Sequence, residues 1–110
     1  MAEKREEKRR LKRLRLKYGT DTPQRSAFTD DISPDGLFIR TVSPIFPGKK
    51  MRIDLDSPSG EIIRIEGCVM WIKRVPPSLI HLAKKGGMGV RITKMLSGEE
   101  NYRELCAKRA

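Results

Sequence analysis

The chain has 110 residues, enough for one small domain with a modest core. Apolar residues make up 37% and charged residues 35%, and the formal net charge of +10 favours a partner that bears phosphates, whether nucleic acid, nucleotide or anionic lipid. No apolar run reaches the length of a membrane span and the N-terminus is charged rather than hydrophobic, so we expect a cytoplasmic protein without a secretion signal.

The N-terminal stretch is strongly basic: residues 1–17 hold nine basic and three acidic side chains. Residues 2–13 contain good helix formers but no apolar stripe, so they cannot bury a face of their own. We therefore expect residues 1–13 to form a mobile or weakly helical arm. Within it, Arg9 and Arg13 each offer a planar fork that suits phosphate oxygens or guanine O6 and N7, and that can also stack on a purine.

The first predicted hairpin follows the arm. Residues 14–18 alternate apolar and basic side chains, which is the period of a half-buried strand. Residues 19–23 are typical of a turn, and residues 25–29 predict the return strand. Because the two strands run in opposite directions, the start of the first at Arg13 is expected beside the end of the second at Asp31.

The segment "DISPDG", which follows the return strand, can contact a ligand. Asp31 can accept hydrogen bonds from two adjacent donors, as on the Watson–Crick edge of guanine, and the hydroxyl of Ser33 can donate or accept. Gly36 has no side chain, so a ligand can approach its backbone closely. The alternative is that these residues only build a turn, since Asp and Ser side chains often bond their own backbone there.

The remaining chain predicts four more strands, at residues 37–41, 51–56, 61–72 and 88–92. Within the third of these, Gly67 is expected to mark a bend or bulge. Short strands with turn signals between them favour an all-β domain, and we predict a six-stranded antiparallel β-barrel, closed or partly closed, over residues 14–95.

A terminal helix is predicted over residues 96–110. Ser97 stands three residues before Glu100, which is a capping-box pattern. One face of the helix would carry three residues that dock on the barrel or, alternatively, contact a partner: Tyr102, Leu105 and Cys106.

Several other residues receive structural interpretations. Cys68 and Cys106 lack metal-ligand spacing and are expected to be buried free thiols in a reducing cytoplasm. Trp71 is expected in the core or at the barrel rim, with base stacking as the alternative. Met88 is expected in the barrel and His81 on a surface loop. No nucleophile–base pair, metal cluster or phosphate loop is visible, so we expect neither catalytic activity nor a metal or cofactor.

These residues resemble the PilZ domain, a bacterial receptor family for cyclic di-GMP. Arg-x-x-x-Arg is present at Arg9 and Arg13, and Asp/Asn-x-Ser-x-x-Gly at Asp31, Ser33 and Gly36. The resemblance continues through "GLFIRT", "PGKKMRIDL", "GCVMWI" and "GGMGVRI". It implies a barrel with a C-terminal helix, in agreement with the prediction from periodicity.

The resemblance also implies a site. Arg9 and Arg13 would hold phosphate and stack on guanine, while Asp31 and Ser33 would read a guanine edge beside Gly36. Secondary ligand contacts are expected from three neighbouring cations: Lys8, Arg10 and Arg15. Of these, Lys8 would suit the binding of a stacked pair of ligand molecules. Asp35 stands where members often have a second glycine, and it adds negative charge near an anionic ligand.

The resemblance implies a receptor whose basic arm becomes ordered on cyclic di-GMP and which relays the signal to an effector protein. Two alternatives remain open. A small basic barrel could bind single-stranded nucleic acid, but such proteins display aromatic platforms and this chain has six aromatic residues, several of which alternate into the predicted core. A degenerate PilZ fold could also act as a protein-interaction module without ligand.

Overall fold

A computed structural model describes residues 10–74 and 86–107 of the chain. The elements are β1 Arg10–Leu11, β2 Arg15–Gly19, β3 Arg25–Ser33, β4 Gly36–Arg40, β5 Lys50–Asp56, β6 Ile62–Lys73, β7 Gly87–Ser97 and α1 Glu99–Ala107. All six predicted strands are present as β2 to β7, and β1 is an additional short strand. The predicted surface position of His81 lies outside the described residues.

The six long strands form a closed antiparallel barrel. The order in the sheet is β1-β3-β2-β5-β6-β7-β4, and β4 also pairs with β3, which joins the two ends of the sheet. The predicted fold, a six-stranded antiparallel barrel with a C-terminal helix, is confirmed. Closure leaves β1 outside the barrel, attached to β3 alone among the described strands.

Alternation of apolar and polar side chains builds the core. In β5 the inward residues Met51, Ile53 and Leu55 are fully buried, whereas Arg52 and Asp54 between them are partly exposed. Residues on each of the other five barrel strands complete the interior, and Met88 is buried as predicted. A single face of each strand is therefore enough to fill a barrel of this size.

Bulges in the pairing of β6 with β7 break this alternation. The register shifts between Glu66 and Gly67, which confirms the predicted irregularity at the glycine, and again between Val69 and Trp71. A bulge changes the face to which the following residues point. Trp71, which alternation alone places with Ile65 and Val69 on the inner face, is consequently half exposed at the barrel rim.

The helix begins later than predicted because β7 is longer. β7 continues to Ser97, so this residue is part of a strand and the predicted capping role for it is wrong. Gly98 has a φ of 82°, and its carbonyl oxygen accepts a hydrogen bond from the Tyr102 amide at 2.9 Å, which starts α1. A residue with a side chain would be strained at this φ.

The buried face of α1 is the predicted one, with Tyr102, Leu105 and Cys106 packed on the core. Cys68 and Cys106 are both free thiols, and Cys106 is buried as predicted, whereas Cys68 is only partly buried. Within residues 10–74 and 86–107, no helix has the length and apolar character needed to cross a bilayer.

Candidate functional site

The β3–β4 turn is closed by its own signature residues. Ser33 and Gly36 face each other at the ends of the two strands, with Pro34 and Asp35 between them. The Ser33 hydroxyl donates to the Gly36 carbonyl oxygen and accepts from the Gly36 amide, both at 3.3 Å. Ser33 is only 5% exposed, so the hydroxyl predicted to read a guanine edge is engaged within the turn in this structure.

Gly36 is required on the barrel side of the turn. A Cβ at this position would lie 2.3 Å from the carbonyl oxygen of Val90, because β4 pairs closely with β7 there. Any side chain would push these two backbones apart. The sequence suggested that the glycine admits a ligand, and the structure adds that the barrel itself needs it.

The end of the basic arm lies beside this turn. β1 pairs antiparallel with the last residues of β3, so that Leu11 is opposite Asp31 and Arg10 is opposite Ile32. The Lys12 amide also donates to the Asp30 carbonyl oxygen at 3.1 Å. The predicted adjacency of arm and turn is therefore present in the backbone, but the residue opposite Asp31 is Leu11 and not Arg13.

The short strand β1 forms because β2 and β3 differ in length. β2 has five residues and covers only the first part of the nine-residue β3, which leaves unpaired backbone groups along one edge. The arm satisfies part of that edge, as an additional strand does at any open sheet edge. A weakly helical arm is thus wrong for Arg10 and Leu11. Residues 1–9, with Lys8 and Arg9, lie outside the described residues.

Thr29 fixes the arm between β1 and β2. Its hydroxyl donates to the Lys12 carbonyl oxygen at 2.5 Å and accepts from the Leu14 amide at 2.9 Å, and its own amide donates to the Leu14 carbonyl oxygen at 2.9 Å. Thr29 is buried, so these bonds are shielded from water. One threonine therefore sets the path along which the arginine motif approaches the barrel.

Thr29→Val should loosen the arm, because valine keeps the shape but leaves the Lys12 carbonyl and the Leu14 amide without their partner. The free energy of unfolding should fall by about 1–3 kcal/mol, and amide exchange at residues 10–14 should accelerate. Chemical denaturation and hydrogen exchange measure the two effects. Thr93→Val is the matched control, since the Thr93 hydroxyl makes one exposed bond to the Glu66 carbonyl at 3.0 Å. Equal losses in both variants would contradict the role of Thr29.

The arginines predicted for the site occupy different environments. The guanidinium carbon of Arg13 lies 4.5 Å from the centre of the Phe28 ring, which holds its planar group at the surface. Arg15 is exposed on β2, opposite Phe28 in the pairing with β3. Arg10 is placed on β1 by its backbone alone.

The two consecutive aspartates are separated by a bulge in the β3–β4 pairing. The register shifts between Thr29 and Asp31, which leaves Asp30 as the extra residue. Asp30 is bound to Arg40, with 2.6 Å between its Oδ1 and the arginine Nη2. Asp31 instead lies half-buried between Leu11 on β1 and Phe38 on β4. The signature carboxylate is therefore the one next to the arm.

Sequence reasoning missed a small aromatic and basic surface next to the turn. A depression of about 140 Å³ is lined by residues from three strands and the turn: Asp35, Gly36, Met70, Trp71, Gly89, Val90 and Arg91. Trp71 is 49% exposed and lies over Gly89, with its ring centre 5.3 Å from that of Phe38. Alternation predicts that Arg91 points outward, but only the pairing of β4 with β7 reveals that it is opposite Gly36.

The C-terminal helix also reaches the turn. The hydroxyl of the buried Tyr102 donates to the Ser33 carbonyl oxygen at 2.6 Å, and the Gly36 carbonyl oxygen lies 3.3 Å away. Within residues 10–74 and 86–107, no three His, Cys, Asp or Glu side chains are close enough to hold a metal ion. The arrangement around the turn offers polar groups and cations for an anionic ligand with planar bases.

Comparisons with known proteins support the resemblance to the PilZ domain. The profile of the PilZ domain matches residues 3–107. The solved structure of the Bacillus subtilis inhibitor of motility (MotI/DgrA) has a similar fold, with a TM-score of 0.75 and 17% sequence identity, covering 96% of this chain and 50% of that one. This chain thus spans half the length of that protein, and at such identity the likeness concerns the fold. No curated protein sequence matches the chain.

The family profile includes the arm, all strands of the barrel and the terminal helix. Its limits at residues 3 and 107 leave only the extreme ends of the sequence outside. On this evidence the chain belongs to the PilZ domain family.

Proposed function

We propose that this chain is a non-catalytic receptor that binds cyclic di-GMP and relays the signal to a partner protein. PilZ domains are in general receptors for this nucleotide. The observation that supports the proposal most directly is the pairing of Leu11 with Asp31, because it brings the arm of the first motif to the turn of the second.

The proposed contacts follow the chemistry of the ligand, which carries two phosphates and two guanines. Arg9 and Arg13 bind phosphate oxygens and stack on guanine, for which a guanidinium is better suited than an ammonium group. Asp31 accepts hydrogen bonds from the guanine edge. For Ser33 to join it, its hydroxyl must exchange its contacts with Gly36 for the ligand.

The arm supplies the proposed response. The cations Lys8, Arg9, Arg10 and Arg13 repel one another until phosphates neutralise them. The ligand would therefore add to the existing pairing of β1 with β3, hold the arm more firmly on the barrel and create a surface that a partner can recognise. The net charge of +10 would also accelerate the encounter with an anionic ligand.

Titration calorimetry of the unmodified chain with cyclic di-GMP tests the proposal. We expect saturable binding. GMP should bind much more weakly because it lacks the second guanine, and cyclic di-AMP because it lacks both. A flat titration with cyclic di-GMP would contradict the proposed function and favour a protein-interaction module.

Nucleic acid is a second candidate, supported by the half-exposed Trp71 beside Arg91. Stacking on an exposed aromatic residue within a basic surface is typical of single-strand binding. Oligonucleotides of increasing length distinguish the two: a nucleic-acid barrel would bind longer strands more tightly and lose affinity steeply with salt, whereas a dinucleotide receptor would show no dependence on length.

A further inference from the structure

The phenol of Tyr102 links the terminal helix to the signature turn. Its side chain is 2% exposed, and its hydroxyl donates to the Ser33 carbonyl oxygen at 2.6 Å with the Gly36 carbonyl oxygen 3.3 Å away. Both acceptors belong to residues that define the turn. A displacement of either strand end must therefore lengthen or redirect this buried hydrogen bond.

A second polar attachment holds α1 at a different place. The Asn101 side-chain amide donates to Ser57 Oγ at 3.3 Å, Ser59 Oγ at 3.1 Å and Glu61 Oε1 at 2.8 Å. These residues all lie in the connection between β5 and β6, and none belongs to the proposed ligand site. Adjacent residues of one helix are thus anchored to two different turns, and of these two residues it is Tyr102 that bonds the signature turn.

The hydrogen bond of Tyr102 is buried and cannot be replaced by water. Breaking a buried hydrogen bond to a carbonyl oxygen costs free energy. This bond therefore fixes the turn geometry more firmly than an exposed contact does. The Ser33 side chain bonds Gly36 across the same turn. The peptide groups that carry the proposed ligand contacts are therefore held from two sides, by Ser33 within the turn and by Tyr102 from the helix.

We propose that Tyr102 is a positioning residue for the nucleotide site and that it makes α1 the element which responds to the ligand. The proposal rests on the receptor function proposed above and names how the site is regulated. Coupling between two sites is reciprocal: if the helix stabilises the binding geometry of the turn, then a ligand on the turn stabilises the helix. The outer face of α1, which carries Glu99, Arg103 and Glu104, would present this change to a partner.

Tyr102→Phe removes the hydroxyl and keeps the ring that packs on the core. We expect its affinity for cyclic di-GMP to fall about fivefold to tenfold, the effect of losing one buried hydrogen bond. In the unmodified chain the ligand should slow amide exchange at residues 99–107, and in Tyr102→Phe this slowing should disappear. Calorimetry and hydrogen exchange measure the two, with thermal denaturation to verify folding.

Asn101→Ala is the matched control, since it loosens the same helix without touching the signature turn. It should keep both the affinity and the ligand-induced slowing of exchange. A loss equal to that of Tyr102→Phe would mean that only the general stability of α1 matters and would overturn the positioning role. Unchanged affinity and unchanged slowing in Tyr102→Phe would overturn it as well.

A ligand-free measurement separates this inference from the receptor function. Ser33→Ala weakens the turn and should accelerate amide exchange in α1, but it should add nothing when Tyr102→Phe is already present. If the unmodified chain fails to bind cyclic di-GMP, the proposed receptor function is wrong. This comparison would still test whether the signature turn and α1 are coupled. Additive effects of the two substitutions would overturn the coupling itself.

Discussion

Asp31→Ala is expected to lower the affinity for cyclic di-GMP by roughly tenfold to a hundredfold, the range for a hydrogen bond to a charged group. The carboxylate would accept two donors of one guanine edge, and alanine would leave both without a partner in a half-buried position. Arg13→Ala should weaken binding by a similar factor. Arg13→Lys should recover only part of it, since an ammonium group keeps the charge but lacks the planar fork. Titration calorimetry at fixed ionic strength measures these differences.

The controls for this prediction lie at the other end of β3. Arg25 begins that strand and is exposed, and Asp21 is exposed in the preceding loop. Their alanine variants change the net charge in the same way, so any general electrostatic effect appears in them too. Tight binding that survives both Asp31→Ala and Arg13→Ala would remove the assigned contacts while leaving the ligand, and losses as large in the controls would point to charge alone.

Ile63→Ala should destabilise the barrel by about 2–5 kcal/mol, because it removes apolar surface from the interior and leaves a cavity. Ile63 is fully buried, whereas its neighbour Ile62 on the same strand is 39% exposed. Ile62→Ala should therefore cost less than about 1 kcal/mol. A small domain has a total stability of only about 5–15 kcal/mol, so the first variant would lose a large part of it.

Urea denaturation followed by circular dichroism compares these two variants directly. The dependence of the unfolding free energy on urea should be unchanged, so the difference would appear in the midpoint of the transition. Since both substitutions replace the same residue type at adjacent positions, only the direction of the side chain distinguishes them. Equal destabilisation would contradict the alternation on which the barrel core is built.

The barrel was predictable because its strands repeat a simple period. The positions of Met51, Ile53 and Leu55 alone indicate a half-buried strand, and the buried face of α1 follows from the spacing of Tyr102 and Leu105. The turn at Ser33 to Gly36 was equally visible, since proline, aspartate and glycine favour turns. Local patterns were sufficient for these elements.

Other features depend on pairing between distant parts of the chain. β1 consists of two residues from a charged arm, and only the open edge of β3 makes them a strand. The proximity of Arg91 to Gly36 and the acceptors of the Tyr102 hydroxyl are likewise set by tertiary structure. The rim was one of the two positions expected for Trp71, but the register shift that exposes it there is not contained in any alternation pattern. Such features were missed because their cause lies across the sheet.

The positions of β1 and α1 fasten the first and last elements of the described chain to one turn. Leu11 on β1 pairs with Asp31 at the end of β3, and Tyr102 on α1 bonds Ser33 at the start of the turn that follows β3. A movement of this turn would therefore be transmitted to both elements. Probes attached to β1 and to α1 would sense it at the same time.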